Sequence, residues 1–318
     1  MRVIFAGSPA IAIPSLETLT RIKEIELTGV LTNPDTPKGR NKTLTPTEVG
    51  EAAKGLGMNI PILKPEKLDQ AAREQITALA PDLLVSFAYG HIFGPKFLSL
   101  FPLGGINIHP SLLPIYRGPA PIQTAILNRD PVTGITIQKI ALEIDCGDII
   151  TQEQIPLAGT ETTGSLSETV SIKAAEMLTR ALARIAAGEQ GIPQDHEKAS
   201  SCRLISRDDA LIDWTLSAAE IEAKIRAFTP WPLCRTIHNG KELFIIKAGV
   251  YSDTIRQEHL AAGRVLGTDK QYGILVGTGA GVLCVTELQY QQKKALFWKD
   301  FINGARFFEG SILGISIL

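Results

Sequence analysis

The chain has 318 residues, 44% hydrophobic and 20% charged, with a formal net charge of −1. Such a composition excludes a disordered chain, and the near-neutral balance excludes a globally basic nucleic-acid binder, so any basic footprint has to be local. At about 100–200 residues per domain, the length predicts two domains.

Four cysteines, Cys146, Cys202, Cys234 and Cys284, form no CxxC pair, and no His stands at zinc-finger spacing. Neither a disulfide framework nor a structural zinc is expected, and reduced thiols in a cytoplasmic protein are the simpler expectation. No run approaches the roughly 18 apolar residues of a membrane span. Gly7-Ser8-Pro9 interrupts the short apolar start, which argues against a signal peptide.

Arg2–Gly7 is a continuous apolar run, the pattern of a strand buried on both faces. Ser8 is placed to cap a following helix, with Pro9 at its first position. Further strands are predicted over Ile25–Thr32, Ile60–Leu63, Asp82–Gly90 and Gly105–His109, and helices over Thr47–Gly57 and Asp69–Ala80. This alternation predicts an α/β fold with a doubly wound, mostly parallel, Rossmann-like sheet. The period then changes: GITIQKIALEI and DIITQEQIPL read as two antiparallel strands joined around Asp145–Asp148, and a long helix covers Thr162–Ala187.

Residues 188–207 are polar, mixed in charge and aperiodic, so they read as a linker between domains at 1–187 and 208–318. The second domain opens with a helix over Ser217–Phe228, where Ser217 and Glu220 have capping-box spacing. Short strand-like runs follow, with Asn239-Gly240 marking a tight hairpin. Five such strands fit a small β-barrel of the OB type, and other small barrels fit equally well.

The stretch GGINIHPSLLPIYRGPAPIQ (Gly104–Gln123) carries the chemistry. Residues two apart on a strand share a face, so Asn107 and His109 point together while Ile106 and Ile108 pack on the other side. Open α/β sheets bind ligands at the carboxyl ends of their strands, and Pro110 ends this one. An amide donor beside an imidazole suits a developing oxyanion, where one donor contributes about 2.7–4 kcal/mol. Such a His needs a group that fixes its orientation or titration. Asp145 in EIDCGDII is the first choice, and Asp148, following Gly147, is the rival that more plausibly shapes the turn. GxGxxG after the first strand, GxxxxGK[ST], HExxH and GxSxG are all missing, which disfavours dinucleotide binding, NTP hydrolysis, zinc proteolysis and nucleophile-elbow hydrolysis.

FAYGHIFGPKFL, the Asn-x-His followed by SLLPIYRGPAP, and DCGDII together resemble the folate-dependent formyltransferase family. That resemblance implies the formyltransferase fold, with Asn107, His109 and Asp145 as catalytic trio. It also implies a loop of Ser111, Leu112, Leu113 and Pro114 that contacts reduced folate. The co-substrate would be 10-formyltetrahydrofolate, and no metal is expected. The family pattern commonly has Gly two residues before the Asp and Thr after it, where this chain has Glu143 and Cys146.

Leu31–Val49, Asp209–Ala248 and the KKALFWKDFINGAR stretch resemble the branch whose acceptor is initiator methionyl-tRNA. The resemblance therefore covers nearly the whole chain. It implies that Arg40, assisted by Lys38 and Lys42, meets the acceptor end of the tRNA, and that Lys293 and Lys294 contact phosphates. A monomer with no membrane association is expected. Read without the family, these basic residues fit a solvated surface equally well. Within the family, another amine, an amino sugar or glycinamide ribonucleotide, is the alternative acceptor.

Overall fold

The computed structural model describes residues 1–39, 42–57, 59–252, 261–305 and 308–314, with the side chain of Lys38 outside that description. By their contacts, the described residues form two compact units. The first comprises Met1–Pro121, Val132–Pro156 and Leu166–Arg203. The second comprises Ile122–Pro131, Leu157–Ser165 and Leu204–Leu318.

In chain order, the first part of the molecule runs β1 (Arg2–Gly7), α1 (Ile13–Leu19), β2 (Glu26–Leu31), β3 (Thr36–Lys38), β4 (Thr43–Thr45), α2 (Glu48–Gly55), β5 (Ile62–Leu63), α3 (Gln70–Ala78) and β6 (Leu83–Phe87). It continues with α4 (Pro95–Leu98), β7 (Gly105–His109), α5 (Pro121–Leu127), β8 (Val132–Lys139), β9 (Ile149–Pro156) and α6 (Thr163–Ala186). Seven strands form one sheet in the order β5-β2-β1-β6-β7-β8-β9. The pairs from β5 through β7 are parallel, and those joining β8 and β9 are antiparallel.

The central strands β1 and β6 are buried almost end to end, which is why they read as unbroken apolar runs. Tyr89, Phe93, Phe97 and Phe101 extend this core with stacked and tilted rings and pack with Ile4, Leu31, Ile76 and Leu84. Helix α6 buries Leu166, Val170, Ala174, Leu178 and Ala181, a stripe at helical spacing. Its polar side is tied to β9 by Lys173 and Arg180, both paired with Glu153.

One sequence expectation fails locally. Ser8 caps no helix: Pro9 takes the N-cap position of a short 3-10 turn, Ala10–Ala12, that precedes α1. The Ser8 hydroxyl is buried, and it accepts from the Asn33 backbone N–H at 3.2 Å, tying the ends of β1 and β2 together. Thr47 and Asp69, where the next two helical segments were predicted to begin, accept from the first turns of α2 and α3.

The second unit contains α7 (Ala218–Ala227), β10 (Cys234–His238), β11 (Lys241–Val250), β12 (Val265–Asp269), β13 (Gly273–Gly277), β14 (Val282–Tyr290), β15 (Leu296–Phe297) and α8 (Trp298–Gly304). Its antiparallel sheet has the order β10-β11-β14-β13-β12, with β15 on β14. The capping box at Ser217 and Glu220 is present. Asn239 and Gly240 have φ of 48° and 71°, the two left-handed positions that a tight hairpin of β10 and β11 requires.

A segment with no strand signal joins the two edge strands. Val265 N donates to Ser311 O at 2.9 Å, and Gly314 N donates to Ile237 O at 2.9 Å. Residues 311–314 thereby occupy the gap between β12 and β10. Among the described residues, no helix is long and apolar enough to cross a membrane.

Candidate active site

The site grows from β7 and β8. Antiparallel pairing sets Asn107 opposite Gln138 and His109 opposite Thr136. The register of β8 against β9 shifts between Ile137 and Gln138, the local irregularity that re-aims a side chain. Beyond β8, the chain turns through Leu142–Asp148 and returns as β9. Gly147 makes this turn possible, because a Cβ there would lie 1.8 Å from the Lys139 carbonyl oxygen. Asp145 adopts φ of 56°, a left-handed conformation that an Asp tolerates better than most residues.

Three donors and one imidazole nitrogen converge on the Asp145 carboxylate. Gln138 Nε2 donates to Oδ1 at 2.8 Å, and Gly118 N donates to Oδ2 at 2.8 Å. Asn107 Nδ2 makes a longer contact with Oδ1 at 3.4 Å, leaving its second N–H available for a substrate. His109 Nδ1 also lies 3.4 Å from Oδ1. The structure thus gathers Asn107, His109 and Asp145, predicted from separate motifs, around one carboxylate. No hydrogen bond brings the Asp148 side chain into this cluster among the described residues; its backbone carbonyl accepts from Lys139 N at 2.8 Å.

His109 is only 4% exposed. Its Nε2 lies 2.9 Å from the Tyr116 carbonyl, which can only accept, so Nε2 carries a proton. The neutral ring then turns its Nδ1 lone pair toward Asp145, and an added proton would form the Nδ1–H···Oδ1 bond. Burial holds His109 below the usual imidazole range, against the opposing pull of Asp145 and the Tyr116 carbonyl. Tyr116 itself has φ of 60°.

The loop Ser111–Pro114 is braced from inside. Ser111 Oγ donates to Ile115 O at 2.5 Å, and Thr136 Oγ1 donates to Ser111 O at 2.7 Å. Gln152 Nε2 donates to both Leu113 O and Thr136 Oγ1, at 2.9 Å and 2.8 Å. Ser111 and Leu113 are buried, whereas Leu112 and Pro114 are half-buried. Apolar side chains stand exposed on the two loops that serve Asp145: Ile115 at 42%, Ile144 at 58% and Leu142 at 64%. A cavity of about 580 Å³ between Ile62 and Gln75 shares no residue with this cluster.

Of the basic residues singled out in the sequence, Arg40 lies outside the described residues, as does the side chain of Lys38. Lys42 is exposed, with φ of 48°, in the turn between β3 and β4 of the first unit. Lys293 and Lys294 are exposed between β14 and β15 of the second. Among the described residues, no group of three His, Cys, Asp or Glu side chains is placed to hold a metal ion.

Sequence reasoning missed Gln138, Gly118 and the Tyr116 carbonyl. For Gln138 a signal existed, since Thr136 and Gln138 alternate as polar residues in the otherwise apolar strand GITIQ. Nothing local marks a backbone N–H or carbonyl as part of a site.

Fold and site define an α/β group-transfer enzyme with an amide, an imidazole and a carboxylate at a strand end. A family model described as Formyl transferase matches residues 1–182, and one for the Formyl transferase C-terminal domain matches residues 204–306. The chain belongs to the formyl transferase family.

It is 49% identical to the methionyl-tRNA formyltransferase of Treponema denticola over 98% of this chain and 99% of that protein. To the methionyl-tRNA formyltransferase of Treponema pallidum it is 41% identical over 99% of this chain and 100% of the relative. Among solved structures, it resembles WlaRD, a sugar 3N-formyl transferase, with a TM-score of 0.63, 21% identity, and 92% and 99% of the two chains covered. HypX from Aquifex aeolicus in complex with tetrahydrofolic acid matches with a TM-score of 0.61, 16% identity and 95% of this chain covered. This chain spans only 47% of that one. At such identities the two structures speak for the fold alone.

Proposed function

We infer that the chain transfers the formyl group of 10-formyltetrahydrofolate to the α-amino group of methionine on initiator methionyl-tRNA. The observation that carries this reading is the full-length similarity to methionyl-tRNA formyltransferases, at 49% identity for the Treponema denticola protein. Convergence of Asn107, His109 and Asp145 supplies the chemistry.

The co-substrate offers an electrophilic formyl carbon joined to a nitrogen leaving group. Asn107 donates its free amide N–H to the oxygen that becomes negative as the amine adds. His109 joins it when Nε2 exchanges the Tyr116 carbonyl for that oxygen. The attacking amine must be neutral, and its ordinary pKa of about 7.7–8.0 leaves a usable fraction near neutrality. The His109–Asp145 pair takes up the proton released by the amine, and the leaving nitrogen receives one in return. Holding both reactants in register contributes much of the acceleration. Leu112, Pro114 and Ile115 would face the folate, since Ser111 and Leu113 are occupied inside the loop.

Toward the tRNA, the reading places Lys38, Arg40 and Lys42 at the acceptor end and Lys293 and Lys294 on phosphates. Phe297, 51% exposed beside these last two lysines in sequence, offers a stacking face as well. Domains at 1–187 and 208–318 with a linker at 188–207, a monomeric state and a cytoplasmic location complete the proposal. An acceptor competition assay tests it. Purified protein and 10-formyltetrahydrofolate are incubated separately with methionyl initiator tRNA, methionyl elongator tRNA and glycinamide ribonucleotide. Formylation of the initiator alone is expected. Preferential formylation of a small amine would overturn the acceptor while leaving the site chemistry in place.

A further inference from the structure

Between the regions matched by the two family models lie residues 183–203, which neither covers. From residue 188 on, composition marks this stretch as a linker, yet it carries a glutamine, Gln194, that is only 5% exposed. Gln194 Nε2 donates to the Asp145 carbonyl at 2.9 Å and to the Gly147 carbonyl at 2.7 Å. A third contact, at 3.2 Å, reaches Oε1 of Gln138, the residue whose Nε2 binds the Asp145 carboxylate. On its other side, Gln194 Oε1 accepts from Arg117 Nη2 at 2.7 Å and from Arg117 Nε at 3.2 Å. Arg117 immediately precedes Gly118, whose N–H is the other close donor to Asp145.

The same stretch holds the Tyr116–Ala120 loop through its backbone. Ser200 O accepts from Arg117 N at 2.8 Å, and Cys202 N donates to Arg117 O at 2.8 Å. Ser200 Oγ accepts from Tyr116 N at 3.0 Å, and Cys202 Sγ accepts from Ala120 N at 3.2 Å. The loop so held supplies both the Tyr116 carbonyl on His109 and the Gly118 N–H on Asp145. One residue therefore joins the turn that bears Asp145 to the loop that meets it. The two backbone carbonyls bound by Gln194 are that of the left-handed Asp145 itself and that of Gly147 two residues on, and a buried carbonyl left unsatisfied there would be costly.

We propose that Gln194 is a positioning residue for the formyl-transfer site: its amide holds the Asp145 turn and Gln138 in register with the Arg117–Gly118 loop, so that Asp145 stays against His109 and Asn107. This rests on the formyltransferase reading of the site. It gives a stretch outside both matched regions a role in the chemical step, apart from any role in joining domains.

Steady-state formylation of initiator methionyl-tRNA, measured with the full chain, tests the proposal. Gln194→Ala and Gln194→Glu are each compared with the unaltered protein and assayed again in an Asp145→Asn background. Gln194→Glu keeps the volume and the Arg117 partner but donates nothing to the two carbonyls. Thermal unfolding identifies the folded variants, and Gln194→Glu carries the test if Gln194→Ala does not fold. A displacement of about 1 Å at a reacting group lowers kcat by up to about 100-fold, and a loss of that order is expected with KM for tRNA little changed.

In the Asp145→Asn background the same change is expected to cost almost nothing more, because residues acting as a unit are strongly non-additive. Near-normal kcat in Gln194→Glu, or a full additional loss in the Asp145→Asn background, would overturn the positioning role. If the unaltered protein formylates no amine at all, the functional reading fails instead, and the two failures are distinguished.

Discussion

At the scale of single residues, the site is an arrangement of hydrogen-bond donors around one carboxylate. His109 sits between the Tyr116 carbonyl and Asp145, and Asn107 keeps one amide N–H for a ligand. Removing an oxyanion donor costs about 10²–10³ in kcat, so Asn107→Ala is expected in that range. Asp145→Asn and His109→Ala should likewise depress kcat far more than they weaken folate binding. Stopped-flow or steady-state kinetics beside a folate titration separates the two effects, and near-normal turnover in either variant would remove that residue from the mechanism.

The pH dependence follows from burial. His109 is held below its ordinary value of about 6.5, first by desolvation, with Asp145 and the Tyr116 carbonyl opposing. Its neutral form, the proton acceptor, therefore persists below that pH. A plot of log kcat/KM against pH should show an acid limb below about 6.5 that His109→Ala abolishes, separate from the amine limb near about 7.7–8.0.

Among the elements, turns and edges decide more than strand interiors do. The β8–β9 turn depends on Gly147, where a Cβ would meet the Lys139 carbonyl oxygen at 1.8 Å. Gly147→Ala must displace backbone, so kcat is expected to drop by about 100-fold or more in a protein that remains folded by circular dichroism. In the second unit, His238 on β10 is buried, its Nδ1 is 2.5 Å from the Tyr290 hydroxyl, and its Nε2 has no hydrogen-bond partner among the described residues. Desolvation, then the charge of Lys241, lowers its pKa.

A histidine lowered in the folded state binds its proton more readily in the unfolded chain. Its contribution to stability is complete above the unfolded value of about 6.5 and is lost as pH falls below it. Urea midpoints for unfolding of the full chain should therefore decline from pH 7 to 5, and the decline should be shallower in His238→Phe. An unchanged slope would assign the decline to other groups, including His109, whose shift has the same sign.

For the whole molecule, a net charge of −1 limits how much counterion release can drive tRNA binding. Five basic residues are proposed as contacts, and each neutralised phosphate contributes about 0.7–0.9 to the slope of log K against log salt. A slope of about −3 to −5 is expected for initiator tRNA, measured by filter binding or fluorescence between low and physiological salt. A slope near −9, that of about ten phosphates, would require a larger basic surface than these residues make.

The local features of this chain were legible without coordinates because their causes are local. Buried parallel strands such as Leu83–Phe87 read as apolar runs, the helix start at Ser217 reads as a capping box, and Asn239-Gly240 reads as a hairpin. Strand periodicity alone set Asn107 and His109 on one face. Ser8 misled for a physical reason: a hydroxyl beside a neighbouring strand end found a partner there before the helix began.

Asp145 was already the first choice in the sequence, whereas the donors from Gln138 and Gly118 and the brace at Gln194 belong to the tertiary structure. Gly118 meets Asp145 across 27 residues of sequence, and Arg117 meets Gln194 across 77. Residues 311–314 join β12 to β10 by backbone hydrogen bonds that any sequence could make. Periodicity and capping are properties of neighbours along the chain, and they determined the elements and the paired side chains. Which distant carbonyl, amide or carboxylate completes a site depends on where the folded backbone brings it, and that was decided only by the packing of the sheet.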